Sequence, residues 1–148
     1  MIYISHRGNI NGRNPEKENT EPYVKEALHR GYDVEVDVWC IGGKWFLGHD
    51  APDTETTEDF IRTPNLWIHC KNHEALSKLT ETFRYGFPNC FFHDTDEYTL
   101  TTTGYIWAYP GSKLCHRCIC VMPERVNYTP EEISLCYGIC SDFVEKYK

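Results

Sequence analysis

The chain has 148 residues, 41% of them apolar, and its 22 acids against 15 bases give a formal charge of −7. That is one domain, 1–148, with enough apolar material for a real core. The acidic balance, with no run of Lys or Arg, argues against a nucleic-acid or anionic-membrane surface, and no stretch approaches the roughly 20 apolar residues that span a bilayer. The first strand begins at Ile2, which leaves no room for a secretory leader and points to the cytoplasm.

Ile2-Tyr3-Ile4 reads as a short strand that runs into His6-Arg7-Gly8. A helix follows, with Thr20 as N-cap, Pro22 in the tolerant first turn, Val24, Ala27 and Leu28 at helical spacing, and Gly31 as the stop. Val34, Val36 and Val38 then alternate with Glu35 and Asp37, so a strand puts both carboxylates on one face. Two adjacent acids repel each other, and a hard divalent cation is the usual partner for such a pair. Alternation alone leaves open an ordinary strand whose acids face water. Gly42-Gly43 is a hairpin signal, 45–47 is a short arm, and His49-Asp50 can fold back beside the same strand end.

The acidic, Thr-rich stretch to Thr63 holds one or two helical turns at most, started by Asp53 or Thr54. Leu66–Cys70 is a strand. The spacing of Ala75, Leu76, Leu79 and Phe83 predicts a helix over 74–85, closed by Gly86 and Pro88. A buried strand at 90–92 ends in His93-Asp94, whereas 99–103 is too β-branched and too short for a crossover helix. Strands at 105–109 and 118–122 follow. Thr129-Pro130-Glu131-Glu132 starts a helix of about two turns, and 138–140 is the last strand, with Ser141-Asp142 at its end.

Of the eight cysteines, Cys40, Cys70, Cys90 and Cys140 lie in or beside apolar runs, where a thiol acts as a small hydrophobe. Cys115-His116-Arg117-Cys118-Ile119-Cys120 is denser, but no second Cys-x-x-Cys pair completes a zinc set, and its last three residues also read as strand alternation. Structural thiols are the reading, with zinc or redox chemistry as the alternatives.

Seven strands and the 45–47 arm, with helices between some of them, indicate an α/β fold with a parallel sheet and right-handed crossovers. The strands are too closely spaced for the eight helices of a barrel of about 250 residues. His6-Arg7-Gly8, Glu18-Asn19-Thr20, Gly31-Tyr32-Asp33-Val34-Glu35-Val36-Asp37-Val38 and Gly48-His49-Asp50 fall in this order within 50 residues. Together they resemble the glycerophosphodiester phosphodiesterase family, which belongs to the phosphatidylinositol-phospholipase-like group of barrels. Leu66-Trp67-Ile68-His69-Cys70-Lys71 and Gly138-Ile139-Cys140-Ser141-Asp142 are weaker echoes of its third and last strands. With the spacing, the resemblance implies a compact TIM-like (β/α) barrel whose outer helices are partly shortened or missing; an open α/β sheet is the fallback.

Sites in parallel α/β folds form at the carboxyl ends of strands. The sequence puts His6, Arg7, Glu35, Asp37, His49, Asp50, His69, Lys71, His93, Asp94, Trp107, Tyr109, Glu124 and Asp142 there. The resemblance implies proton transfer by His6 and His49, phosphate contacts from Arg7 and Lys71, and a metal on Glu35 and Asp37. Where the family has a third carboxylate ligand, this chain has His69. The cofactor implied is a divalent ion, magnesium or calcium by resemblance, with manganese, cobalt or zinc admitted by the imidazole.

The expected activity is metal-dependent hydrolysis of small glycerophosphodiester-like or related polar headgroup phosphodiesters. A substrate hydroxyl in place of water would make it a cyclising, phospholipase-D-like transphosphorylase. The rivals are a non-catalytic binding module on a degenerate barrel and a zinc module at 115–120. Asp50 is expected to orient His49 or cap the next segment. Glu18 supports either the site or only the fold, Trp107 and Tyr109 are substrate wall or core, and Asp142 is read as structural.

Overall fold

A computed structural model describes residues 1–82 and 88–148. Its centre is β2 (Asp33–Ile41), which pairs in parallel with β1 (Ile2–His6) on one edge and with β5 (Leu66–Cys70) on the other. Parallel pairing continues from β5 to β6 (Asn89–Phe92), and from β1 through β10 (Gly138–Ser141) and β9 (Cys118–Val121) to β8 (Ile106–Ala108). Two strands, β3 (Lys44–Leu47) and β7 (Tyr98–Leu100), run the other way, and all three remaining pairings are antiparallel. β3 takes the part of the β2 edge that β1 leaves free, β4 (Thr54–Thr56) pairs with β3, and β7 pairs with β8.

The result is one curled, mixed sheet, a half-barrel made mostly of strands. This corrects the expected TIM-like barrel. Among the described residues only α1 (Glu21–His29) and α3 (His73–Thr82) are of crossover size, while α2 (Glu58–Ile61) and α4 (Pro130–Ser134) have four and five residues. The connections after β2 and β6 are spent on antiparallel strands, which need only a tight turn and no crossover helix.

Alternation sorts the side chains. Val34, Val36 and Val38 point to the convex face and pack with Leu66 and Ile68 under Val24 and Ala27 of α1 and Ala75 and Leu79 of α3. Each such buried side chain contributes about 1.5–3 kcal/mol, enough to fix which face of β2 turns inward. Ile4, Trp67, Phe91, Trp107, Ile119 and Cys140 fill the concave side. Gly138 lets β10 lie close to β1, because a Cβ there would run into the Ile2 side chain.

Local differences from expectation have simple causes. Thr57, not Asp53 or Thr54, caps α2, its hydroxyl accepting from the Phe60 N–H at 3.1 Å, because 54–56 is taken up by β4. Thr129 and Glu132 form the anticipated capping box, on a helix of five residues rather than two full turns. The end of the 74–85 helix, with Phe83 and Gly86, lies outside the described residues. No described helix is long and apolar enough to cross a membrane.

Candidate active site

On the concave face of β2, Glu35 and Asp37 are 2% and 0% exposed. Parallel register sets His69 of β5 beside Asp37 and His6 of β1 beside Glu35. His69 Nδ1 lies 3.0 Å from Asp37 Oδ1 and 3.8 Å from Glu35 Oε1. Its Nε2 is 3.1 Å from the His93 carbonyl, which can only accept, so Nε2 carries the proton. Nε2 thus donates to that carbonyl, while Nδ1 is the atom that faces the two carboxylates.

Glu35, Asp37 and the Nδ1 edge of His69 converge on one point, with Arg7 and Lys71 beside them. Glu35 Oε2 and Asp37 Oδ1 are buried and accept no well-aligned hydrogen bond, and ligand atoms of Glu35, Asp37 and His69 all lie within 4.8 Å of one another. The donor set fits a divalent cation. Two oxygens and one imidazole nitrogen suit manganese, cobalt or zinc as well as magnesium, and the His93 carbonyl supplies the outer hydrogen bond that metal-binding histidines usually make.

The charges around the pair are unequal. Burial works against Asp37, but His69, Arg7 and Lys71 hold its carboxyl well below the usual range. Burial, reinforced by Asp37, pushes Glu35 well above its ordinary value. Arg7 Nε sits 2.9 Å and Lys71 Nζ 3.7 Å from Asp37, while Arg7 Nη1 reaches Glu18 at 3.4 Å. Arg7 thus counterbalances the buried acids as much as it faces the cleft. Its backbone is left-handed, φ 55°, pinned by its N–H to the Glu35 carbonyl at 2.9 Å and by its own carbonyl, which accepts from the Asn19 N–H at 3.1 Å. Such a conformation costs on the order of 1–3 kcal/mol and needs that kind of anchorage.

Each expected proton-transfer histidine has a carboxylate. His6 Nδ1 donates to Asp142 Oδ1 at 2.8 Å, leaving Nε2 3.8 Å from Glu35 Oε2. Burial lowers the His6 pKa despite Asp142, so the ring is neutral with its Nε2 lone pair free. His49 Nδ1 lies 2.7 Å from Asp50 Oδ1, in the more open dyad of the two. Gly48 is obligatory before it: at φ 148° an added Cβ would strike the Ala51 carbonyl.

A cleft of about 340 Å³ brings the predicted residues together. His6, Arg7, Glu35, His49, His69 and Lys71 line it, and Asp37 lies buried behind them. Trp107, Tyr109, Val121 and Met122 form the facing wall. Trp107 is both wall and core, 4.5 Å from the Phe91 ring, whereas Tyr109 is half exposed. His93 also lines the cleft; both its ring nitrogens are buried without a hydrogen-bond partner, and its ring lies 5.2 Å from that of Tyr109.

Several supporting roles escape sequence reasoning. Asn9 donates to Asp142 at 2.8 Å and to Glu18 at 2.9 Å, and Asn19 pairs with both the side chain and the main-chain N–H of Asp37 at 2.8 and 3.0 Å. Asp142, read from sequence as structural, is the partner of His6. Glu124 faces away from the chemistry: it accepts from Ser141 Oγ at 2.9 Å and the Asp142 N–H at 3.1 Å, and so holds the turn that presents Asp142. Arg125 joins the cleft rim 3.9 Å from Asp142. The 115–120 cluster assembles no three-ligand group among the described residues. Comparisons with family models, with curated proteins and with solved structures find no match.

Proposed function

We propose that the protein is a metal-dependent phosphodiesterase, a short and divergent relative of the glycerophosphodiester phosphodiesterases, acting on small polar headgroup phosphodiesters. The observation that carries this reading is the convergence of His69 Nδ1 with two buried carboxylates, with the dyads of His6 and His49 on the same cleft. Bound to Glu35, Asp37 and His69, a divalent ion would neutralise charge on the phosphate oxygens.

The chain's own groups do the rest. His6, kept neutral and oriented by Asp142, takes the proton of the attacking hydroxyl at Nε2. His49, oriented by Asp50, gives a proton to the departing alkoxide. Lys71 and the Arg7 guanidinium add positive charge beside the phosphate, and the Trp107–Met122 wall restricts water on the facing side.

The test is a screen of glycerophosphodiesters and related diesters against chelator-treated protein reloaded with manganese, magnesium, calcium, cobalt or zinc. Turnover that needs added metal supports the reading, and phosphorus NMR of the product separates hydrolysis from cyclisation. Protein that binds metal yet turns over no diester with any of them would sink it and leave a binding module.

A further inference from the structure

The geometry points to a second chemical centre on the opposite, convex side of the sheet: Cys115 and Cys118 form a dithiol that exchanges with small apolar disulfides. Their sulfurs lie 3.3 Å apart. The Cys118 N–H donates to the Cys115 carbonyl at 2.9 Å, a tight turn of the kind that keeps two Cα atoms within reach of a disulfide. Arg117, inside the turn, is tied to the Gly104 carbonyl and lies 5.8 Å from the Tyr105 ring, so the turn is held in place.

Access separates the two thiols. Of the eight cysteines, seven are buried and Cys115 alone is partly open. Cys118 is 1% exposed, and burial together with the Cys115 contact pushes its thiol up to about 11. An incoming reagent therefore meets Cys115 first, and Cys118 is placed to resolve what forms there. Both line an open apolar groove of about 420 Å³ together with Tyr98, Leu100, Ile106 and Leu114. A reagent with an apolar body gains from that surface in a way that a charged tripeptide disulfide does not.

The exchange balances in two steps. The Cys115 thiolate attacks one sulfur of the disulfide; the Cys115–reagent S–S bond forms, the reagent's own S–S bond breaks, and one thiolate leaves. Cys118 then loses its proton to solvent and attacks the Cys115 sulfur. The protein disulfide forms and the second reagent thiolate leaves. The reagent is reduced to two thiols and the dithiol is oxidised.

Dithiodipyridine, which reports each leaving group by absorbance, tests this on the reduced 148-residue chain. The wild type should release both thiopyridones in one rapid process and lose two hydrogens, with the bridge mapping to Cys115–Cys118. Cys118→Ser should release one and retain a stable adduct on Cys115. Cys115→Ser and Cys115→Ala should abolish the rapid process. Leu100→Ser should slow dithiodipyridine more than glutathione disulfide. A rapid process that survives in the Cys115 variants, a wild type that stops at the single adduct, or a Leu100→Ser protein equally slow with both reagents overturns the proposal.

Discussion

The two halves of the curled sheet are built differently. The half made by β1, β2 and β5 has strands of five, nine and five residues, with α1 and α3 packed over its convex face. In the other half β7, β8 and β9 have three, three and four residues, and α4 buries no residue of its own. The first half and the residues directly after its strands supply His6, Arg7, Glu35, His69 and Lys71 to the cleft, whereas the second contributes a mainly apolar wall with Arg125 at its rim. Charges that must meet to within an ångström are carried by strands supported on both faces, where side chains have few alternative rotamers. A wall tolerates looser support.

The largest effect should come from striking the supported half at its chemistry. His6→Ala and His49→Ala should each lower turnover of a validated diester by roughly 10²–10⁴-fold while the circular dichroism spectrum stays unchanged. Val121→Ala, in the wall, should act on KM more than on kcat. If both histidine variants keep wild-type rates, the assignment of proton transfer to this half is wrong.

Metal binding sharpens the same contrast. Calorimetry should find no manganese binding once Glu35 and Asp37 are both amides, and His69→Ala should bind it more weakly. His69→Glu should shift preference toward magnesium and calcium, since it exchanges a nitrogen for an oxygen donor. Equal manganese affinity in wild type and His69→Ala would remove the imidazole from the ligand set.

The pH dependence follows from the unequal carboxylates. The Glu35 pKa is raised on folding, so its contribution to stability is present below its ordinary value near 4.5 and is lost as pH rises through the shifted one. Asp37 is depressed and behaves in the opposite sense, losing its contribution only in strong acid. The thermal shift given by manganese should therefore grow as pH rises above the ordinary glutamate range. That growth should vanish in Glu35→Gln; a shift independent of pH in the wild type would contradict the assignment.

Two smaller changes probe the seam and the lightly built half. Gly138→Ala should cost about 1–3 kcal/mol in denaturant unfolding, because its Cβ overlaps Ile2. Thr129→Ala should cost about 1 kcal/mol or less through loss of the α4 capping box. If the second loss exceeds the first, the seam is the more forgiving of the two.

How much of this the sequence disclosed depended on distance along the chain. Glu35 and Asp37 could be placed on one face because period two is a local property, and His49 could be tied to Asp50 because they adjoin. Parallel register then set His69 beside the pair. Thr54–Thr56 and Tyr98–Leu100 went unrecognised as strands because three polar or exposed residues carry no periodicity, and their antiparallel pairing is what turned an expected barrel into a mixed half-barrel. Asn9 left no signal, and Asn19 stood within Glu18-Asn19-Thr20 without a role of its own, since amides of that kind commonly serve loops. Asp142 was visible as a strand-end acid, but nothing in the residues between could assign it to His6.

That last pairing has a consequence for the order of assembly. His6 and Asp142 are 136 positions apart, and the strands that bear them are neighbours through the Ile2–Gly138 register. Contacts of such long sequence separation pay the full loop-closure entropy and form late. Pairing of β2 with β5 brings Glu35, Asp37 and His69 together without β10, whereas His6 has Asp142 to orient it only once β10 has closed on β1. On the proposed function, the cation-binding trio would need only the middle of the sheet, and the oriented base would need the strand that closes the seam.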